Sequence, residues 1–215
     1  MKVIITGTSN GIGKAIAEKF LSAGDTVVGI DIFPASITHN NYQHVICDIL
    51  SGELPDIGGA DILINNAGVQ NSGRDIDVNL KATVRVTEKY AFKGGIKSVL
   101  FIASASATTG SEFPEYAASK GGILAYMKNT AMRLAPFGAT VNSLSPGGVL
   151  TNSNAHVMND PALWAQIMGV TPLKKWASVE EIAEFAYFMT VVNKSMTAQD
   201  IIVDNGEMNN FKFVW

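Results

Sequence analysis

Seven short apolar runs, rich in β-branched residues, recur along the chain between longer segments of helical periodicity. Several of these runs lack the strict alternation of apolar and polar residues that marks a strand with one face in water. Continuous apolar runs are typical of parallel strands that are covered on both faces. The pattern therefore predicts strands at residues 3–6, 26–30, 44–47, 61–65, 98–103, 140–144 and 200–203.

Longer segments with apolar residues three and four apart predict helices at 12–23, 75–92, 116–134 and 179–191. Pro136 and Gly138 end the third helix. The alternation of strands and helices predicts right-handed crossovers and an α/β fold. We expect a single doubly wound Rossmann-type domain over residues 1–215, with a seven-stranded parallel sheet and helices on both faces. The loop-rich region 147–176 is too long for a simple connection, and we expect a substrate lid at about 151–176.

Composition and charge exclude several classes of function. The 215 residues are 47% hydrophobic and 16% charged, which suits one globular domain. A net charge of -3 with interspersed signs does not favour nucleic acid as a partner. The only cysteine, Cys47, excludes an intrachain disulfide and suits a reducing compartment. The absence of a long apolar run or a signal-like N-terminus predicts a cytoplasmic protein that does not enter membranes.

A glycine-rich turn at residues 6–13 follows the first predicted strand and opens the first predicted helix. Backbone N–H groups and the positive end of the helix favour a pyrophosphate above such a turn. Gly7 permits the tight turn, Gly11 the approach of the phosphates, and Gly13 the packing of helix on strand. The sequence therefore predicts a dinucleotide site.

Two aspartates follow the next predicted strands. Asp31 lies eighteen residues after Gly13, where an acidic residue binds the ribose 2′-hydroxyl, although a solvated aspartate at a strand end is the alternative. Its charge would repel a 2′-phosphate and Asn10 adds no cation, which favours NAD(H) over NADP(H). Asp48 is a candidate ligand of the adenine amino group, with a helix or turn cap as the alternative.

Tyr116 and Lys120 lie four residues apart, on one face of the third predicted helix. A cation beside a phenol favours the phenolate, which makes the tyrosine a useful proton donor or acceptor near neutral pH. An isolated pair of this kind is also found where an aromatic ring packs under a lysine side chain. The rest of the chain must decide between these interpretations.

Several motifs in order along the chain resemble those of the short-chain dehydrogenase/reductase family, and in particular its 3-oxoacyl-carrier-protein reductase-like members. The turn at 6–13 resembles the family's T-G-x-x-x-G-x-G loop, and residues 65–68 resemble its N-N-A-G segment. Tyr116 and Lys120 match its Y-x-x-x-K motif, and residues 146–151 resemble its P-G-x-x-x-T stretch. The resemblance runs from the first strand nearly to the last.

This resemblance implies a catalytic role for four residues. Tyr116 would exchange a proton with the substrate oxygen, and Ser104 would hydrogen-bond the same oxygen. Lys120 would bind the nicotinamide ribose and favour the tyrosinate, and Asn79 would anchor a water that links Lys120 to solvent. The implied cofactor-binding residues are Gly7, Ser9, Asn10, Gly11, Ile12, Gly13, Asp31, Asp48, Asn65, Ala67, Gly68, Tyr116, Lys120, Pro146, Gly147, Val149 and Thr151.

The chain departs from the family's pattern at several places. Ser104 lies twelve residues before Tyr116, one fewer than is usual in the family, so Ser106 is an alternative to Ser104. Asp48 lies only seventeen positions after Asp31, too few for a full-length crossover helix, and the next crossover is as short. Asn79 lies eleven positions after Gly68, where the family has a longer loop. Part of the adenine wall and of the substrate rim is therefore predicted to be missing.

Apolar side chains in the lid region suggest a substrate with some apolar surface, such as a cyclic alcohol or an acyl ketone. A cover for the core or a subunit contact is the alternative. These residues are Met158, Leu163, Trp164, Ile167, Met168 and Trp176. His156 has no second ligand at suitable spacing, so no metal site is expected.

Two further apolar segments, 185–189 and 211–215, are candidates for core or subunit contacts. Homotetramers are usual in the family that the chain resembles, so we expect a homo-oligomer, either a tetramer or a dimer. The predicted function is an NAD(H)-dependent oxidoreductase that interconverts a secondary alcohol and a ketone. The alternative is a regulatory protein that senses NAD(H) without turnover, since fold and cofactor site alone do not distinguish the two.

Overall fold

The computed structural model describes residues 1–111 and 113–209. Its seven strands form one parallel sheet in the order β3-β2-β1-β4-β5-β6-β7. The strands are β1 (Lys2–Thr6), β2 (Thr26–Asp31), β3 (Tyr42–Ile46), β4 (Ile62–Asn65), β5 (Ser98–Ile102), β6 (Thr140–Pro146) and β7 (Asp200–Val203). The strand order reverses direction at β1, and ligands of open α/β sheets bind beyond the carboxyl ends of the strands at such a point. The predicted doubly wound sheet is confirmed.

The helices connect the strands and the loops around the site. They are α1 (Gly11–Ser22), α2 (Thr83–Tyr90), α3 (Ser106–Thr109), α4 (Pro114–Leu134), α5 (Ala155–Met158), α6 (Pro161–Val170) and α7 (Val179–Tyr187). A π-helical turn, Ile76–Ala82, precedes α2, and a second one, Phe188–Val192, follows α7. The four predicted helices are therefore all present.

The apolar residues of the strands divide between two cores, one on each face of the sheet. Val3 and Ile5 of β1 pack with α1 and α7, while Ile4 packs with α2 and α4 on the opposite face. This division follows from the alternation of side chains along a strand. Because both faces are covered, the strands need no polar side, which explains their continuous apolar runs.

The connections on either side of β3 contain no helix, as their shortness predicted. Ile37, in the segment between β2 and β3, packs against the core beside α1. Leu54, in the segment between β3 and β4, is buried on the other face. At the β3 edge of the sheet, these two segments without helices therefore cover the two faces in place of crossover helices.

The region at 147–176 is less loop-like than the sequence suggested, because it contains α5 and α6. Pro161 stands in the first turn of α6, and the carboxylate of Asp160 accepts hydrogen bonds from the N–H groups of Ala162 and Leu163 at 3.0 Å each. An aspartate cap followed by proline is a start signal for a helix. Within 1–111 and 113–209, no helix is long and apolar enough to cross a membrane.

Candidate active site

The glycine turn has the backbone geometry that its sequence predicted. Gly7 and Gly11 adopt the left-handed φ values of +76° and +54°. A Cβ on Gly13 would lie 2.0 Å from the carbonyl oxygen of Gly7, so α1 packs directly on the turn. No other residue type fits there without moving backbone. Asn10 immediately precedes α1, and Ile12 packs partly into the core.

Residues 66 and 67, which follow β4, hold the glycine turn in place through hydrogen bonds to residues 6 and 7. The amide Nδ2 of Asn66 donates to the carbonyl oxygens of Thr6 and Gly7, at 3.0 and 3.1 Å. The hydroxyl of Thr6 accepts the N–H groups of Asn66 and Ala67, both at 3.0 Å. Asn65 instead points toward α2, where its Nδ2 donates to the Thr87 hydroxyl at 3.0 Å. Asn66, which was not among the predicted site residues, therefore holds this segment against the glycine turn.

Asp31 is buried beside the glycine turn, so it is not the solvated strand-end aspartate of the alternative interpretation. Its two carboxylate oxygens accept the N–H groups of Ser9 at 2.9 Å and Phe33 at 3.0 Å. Asp48 accepts the Leu50 N–H at 2.8 Å and the Ser51 hydroxyl at 2.7 Å, as expected for a turn cap. The Ser51 hydrogen bond is the main cause that lowers the pKa of Asp48.

Lys120 reaches from α4 to the carboxyl end of β5. Its side chain is buried, and the ammonium donates to the carbonyl oxygen of Ile102 at 3.0 Å. The same nitrogen lies 5.6 Å from the centre of the Tyr116 ring. Burial lowers the pKa of Lys120 to about 8, while the charge of Asp75 acts in the opposite direction. The two residues therefore lie together, with the lysine buried and the tyrosine partly exposed.

Asn79 lies in the π-helical turn before α2 and is completely buried. Its Nδ2 donates to the Val69 carbonyl at 2.9 Å and to the Ser119 hydroxyl at 3.0 Å, and its Oδ1 accepts the Val69 N–H at 2.8 Å. Ser119 in turn donates to the Tyr116 carbonyl at 2.7 Å. Ser119 therefore links Asn79 to α4, a role that its position beside Lys120 did not reveal.

Gly68 marks the point where Asn79 and Lys120 converge. A Cβ on Gly68 would lie 3.0 Å from Oδ1 of Asn79 and 3.5 Å from Nζ of Lys120. A larger residue would thus crowd the two polar groups that the resemblance assigns to catalysis. The requirement for glycine at this place is steric.

Ser104 follows β5, two residues after the carbonyl that holds Lys120. Its hydroxyl donates to the Ser106 hydroxyl at 3.2 Å and accepts the Ser106 N–H at 3.2 Å. Both serines are buried. The short loop from Ser104 to Tyr116 begins with α3, which ends at Gly110 in the left-handed conformation, φ +68°. The two candidate serines are thus in contact rather than at separate sites.

The stretch after β6 closes the site from the other side. Gly147 packs against Asp204, where a Cβ would lie 2.7 Å from the Asp204 Cβ. Val149 is buried, and Thr151 approaches the glycine turn, with its Cγ2 3.8 Å from the Cβ position of Gly11. Residues from Pro146 to Thr151 therefore lie at the same edge of the sheet as the turn.

Trp176 links α6 to this stretch. Its indole packs on Gly148 so closely that a Cβ there would lie 2.0 Å from Nε1. Trp164 of α6 packs edge-to-face on Trp176, with ring centres 5.1 Å apart. His156 is exposed, and residues 1–111 and 113–209 contain no group of three potential metal ligands.

Comparisons with known proteins agree with this geometry. A family model described as enoyl-(acyl carrier protein) reductase matches residues 49–207. The chain is 30% identical to D-beta-hydroxybutyrate dehydrogenase of Rhizobium meliloti over 257 aligned positions, which cover 94% of this chain and 96% of that protein. An alignment longer than the 215-residue chain means that the relative contains segments missing here, as expected from the short crossovers.

A second relative is the 3-oxoacyl-(acyl-carrier-protein) reductase of Buchnera aphidicola, 28% identical over 95% of each chain. Among solved structures, a protein of Agrobacterium tumefaciens assigned as a 2-deoxy-D-gluconate 3-dehydrogenase, with NADP bound, has a TM-score of 0.88. It is 28% identical, and the match covers 97% of this chain and 96% of that one. The family match, the sheet order and the cluster around Tyr116 show that this chain belongs to the short-chain dehydrogenase/reductase family and resembles its 3-oxoacyl-carrier-protein reductases.

Proposed function

We propose that the protein is an NAD(H)-dependent oxidoreductase that interconverts a secondary alcohol and a ketone. The observation that carries this proposal is the contact of the buried Lys120 with Tyr116, beside Asn79 and at the end of the strand that Ser104 follows. A buried lysine costs stability, and a protein that only binds a nucleotide has no need for it beside a tyrosine.

The residues present suit a nicotinamide dinucleotide. The glycine turn presents backbone at the start of α1, where a pyrophosphate is favoured. Asp31 uses each carboxylate oxygen once, and each has a further lone pair for a ribose hydroxyl. When bound, the cofactor supplies the hydride chemistry. The residues from Pro146 to Thr151 would hold its nicotinamide end.

The remaining chemistry belongs to the side chains. Tyr116 would exchange the proton of the substrate oxygen, with the Lys120 ammonium 5.6 Å from the centre of its ring. Ser104 would turn its hydroxyl hydrogen from Ser106 to that oxygen and so keep the oxygen within reach. Asn79 would hold the loop at Val69 and, through Ser119, the helix that carries Tyr116 and Lys120.

The cofactor preference follows from Asp31. A 2′-phosphate beside this buried carboxylate would meet a like charge, so NADH is expected to bind more tightly than NADPH. The Agrobacterium relative contains NADP, so the preference in this chain has to rest on its own residues. Asp31→Ser should reduce or reverse the preference, as measured by the dissociation constants of both cofactors at matched ionic strength.

The substrate would carry its alcohol or ketone next to a modest apolar surface. Two relatives are named for a β-hydroxybutyrate and for 3-oxoacyl groups, which supports an acyl ketone or its alcohol. A panel of 3-hydroxybutyrate, a 3-oxoacyl thioester, aldoses and cyclic alcohols, followed by NADH absorbance, tests this proposal.

Tyr116→Phe is the decisive variant. It should abolish turnover with every substrate that the wild type accepts, while NADH affinity stays within about twofold, because only the hydroxyl is removed. Undiminished turnover in this variant would overturn the role of Tyr116. NADH binding without turnover of any substrate by the wild type would instead favour a sensor.

A further inference from the structure

A second buried charge lies near Lys120, at the start of the π-helical turn Ile76–Ala82. Asp75 immediately precedes this turn and is 1% exposed. The turn packs against α4, and Asn79, four residues after Asp75, is hydrogen-bonded to Ser119 beside Lys120. Asp75 was not among the predicted site residues. Two buried groups of opposite charge therefore lie on adjoining elements.

The carboxylate of Asp75 holds the shortened loop that precedes the π-helical turn. Its Oδ1 accepts the N–H of Asn71 at 2.8 Å, and its Oδ2 accepts the N–H and the hydroxyl of Ser72 at 2.8 and 2.9 Å. Asn79 binds the backbone N–H and carbonyl of Val69 in the same loop. Asp75 and Asn79 therefore fix successive parts of one loop, and this fixes the place of the Asp75 carboxylate in turn.

The hydrogen bonds of Asp75 keep its carboxylate ionised. Burial acts against the charged form, but the hydrogen bonds from Ser72 and Asn71 outweigh burial and lower the pKa of Asp75 below its ordinary value. These donors are backbone N–H groups and a hydroxyl, which carry no charge. They stabilise the negative charge of Asp75 without cancelling it.

Most elements around α4 contribute no charge near Lys120. The neighbours α3, β5, β6 and the 3₁₀ turn Ala135–Phe137 contain no acidic or basic residue. On α4 itself, Glu115 and Lys128 are exposed, and so is Arg74, next to Asp75 in the chain. Exposed charges are screened by water and act weakly on a buried group.

The remaining charged neighbours of α4 are paired elsewhere. Asp77 and Lys81 of the π-helical turn lie 2.7 Å apart, and both side chains are exposed. Glu88 of α2 pairs with Arg133 at the far end of α4, 2.6 Å apart. The charge that acts on the buried lysine is that of Asp75.

We infer that Asp75 is a positioning residue that keeps Lys120 in its ammonium form, the form that the proposed function requires beside Tyr116. The effect on turnover rests on the proposed function, whereas the interaction of the two charges does not. Burial lowers the pKa of Lys120 to about 8, and the negative charge of Asp75 raises it. Without Asp75, a larger share of Lys120 would be neutral near pH 7.

The first test measures this interaction without turnover, in a double-mutant cycle of Asp75→Asn and Lys120→Met. At about pH 6.5 both groups are charged, so Asp75→Asn should reduce the folding equilibrium constant at least about threefold more in the wild type than in Lys120→Met. At about pH 10 the lysine is largely neutral, and this difference should disappear. Urea unfolding of the four proteins at matched ionic strength gives both values.

The second test measures kcat/KM for ketone reduction by NADH as a function of pH. Turnover that needs the ammonium falls as the pH rises through the pKa of Lys120. In Asp75→Asn this fall should begin about 0.5 lower in pH, which corresponds to the same threefold change. A residue that only holds the loop would lower the rate without moving the fall.

Ser72→Ala is the matched control, because it removes one donor to Asp75 and leaves the charge in place. Its fall in kcat/KM should stay at the wild-type pH. Asp75→Ser is a second uncharged variant that can still accept a hydrogen bond from the loop. It should move the fall as Asp75→Asn does, and it provides the test if the asparagine variant does not fold. Circular dichroism checks the fold of each variant.

The outcomes separate the inference from the proposed function. Additive effects of Asp75→Asn and Lys120→Met on unfolding, or a pH profile that neither uncharged variant moves, would overturn the inference. A profile that Ser72→Ala moves equally far would also overturn it, because the loop and not the charge would then be the cause. A wild type that turns over no substrate, with the coupling in stability intact, would overturn the proposed function and leave the interaction of the two charges standing.

Discussion

At Lys120, the proposed catalytic role and the stability of the fold make opposite demands. Its ammonium is buried and donates to the backbone carbonyl of Ile102, and burial lowers its pKa from 10.5 to about 8. The unfolded chain therefore binds more protons than the folded one between these values, so wild-type stability rises with pH across this window. Below about pH 8 the full cost of the buried charge applies.

Replacing this lysine tests the trade-off. Lys120→Met removes the buried charge and should raise the free energy of unfolding at neutral pH by up to about 3 kcal/mol. The gain is reduced by the cost of leaving the Ile102 carbonyl without its hydrogen-bond donor. Turnover should disappear. Urea unfolding of both proteins at about pH 7 and about pH 10 should show a smaller difference in unfolding free energy at the higher pH, where the wild-type lysine is largely neutral. A variant that is less stable than the wild type at both pH values would contradict this account.

At the scale of elements, the contact between α4 and the π-helical turn Ile76–Ala82 brings Asn79 next to the helix that carries Tyr116 and Lys120. Of the two consecutive glycines in α4, only Gly122 lies in this contact. A Cβ on Gly122 would lie 2.7 Å from Cδ2 of Leu80, the neighbour of Asn79, whereas a Cβ on Gly121 would meet only the Ala107 carbonyl at 3.6 Å. Gly122 therefore allows the close approach that brings Asn79 to Ser119.

The two glycines form a matched pair for a test. Gly121→Ala should stabilise the protein by roughly 1 kcal/mol, the difference in helix propensity, and leave kcat unchanged. Gly122→Ala should lose that gain, because Leu80 must move, and should lower kcat through Asn79. Thermal unfolding and initial rates measure both effects. Equal gains in stability from the two substitutions, with kcat unchanged in both, would show that the helix contact is not tight.

The sequence predicted the elements that follow a strong local signal and missed those that depend on distant contacts. The strands were found because buried parallel strands are apolar throughout. Helix α6 was missed although Asp160 and Pro161 form a start signal for a helix. The π-helical turn at Asn79 has no signal of its own in the sequence. Ser119 was missed because its link from Asn79 to α4 depends on a contact between segments far apart in the chain.

At the scale of the whole molecule, the last helix leaves an apolar stripe uncovered. Phe185, Phe188 and Val192 lie three and four residues apart and are 42%, 50% and 57% exposed. Ile202, on the edge strand β7, is 40% exposed. Tyr187 and Met189 of the same segment face the core instead. The predicted contact segment 211–215 lies outside the described residues.

We propose that a second copy of the chain covers this stripe, in line with the expected dimer or tetramer. Phe188→Lys should shift the protein toward monomer in sedimentation velocity at micromolar concentration, because an exposed charge opposes burial of the stripe. Phe137→Lys changes a more exposed phenylalanine at the end of α4 and serves as the comparison. A sedimentation coefficient that Phe188→Lys does not change would contradict the proposal.

The edge-to-face contact of Trp164 with Trp176 also gives the segment 151–176 an optical signature. Two indoles held 5.1 Å apart at a fixed angle couple their electronic transitions, and the coupling is lost when they separate. Because Trp176 packs on Gly148 and Trp164 belongs to α6, near-ultraviolet circular dichroism would report a change in how α6 lies against Trp176, without an attached dye. The protein thus contains its own reporter of this contact.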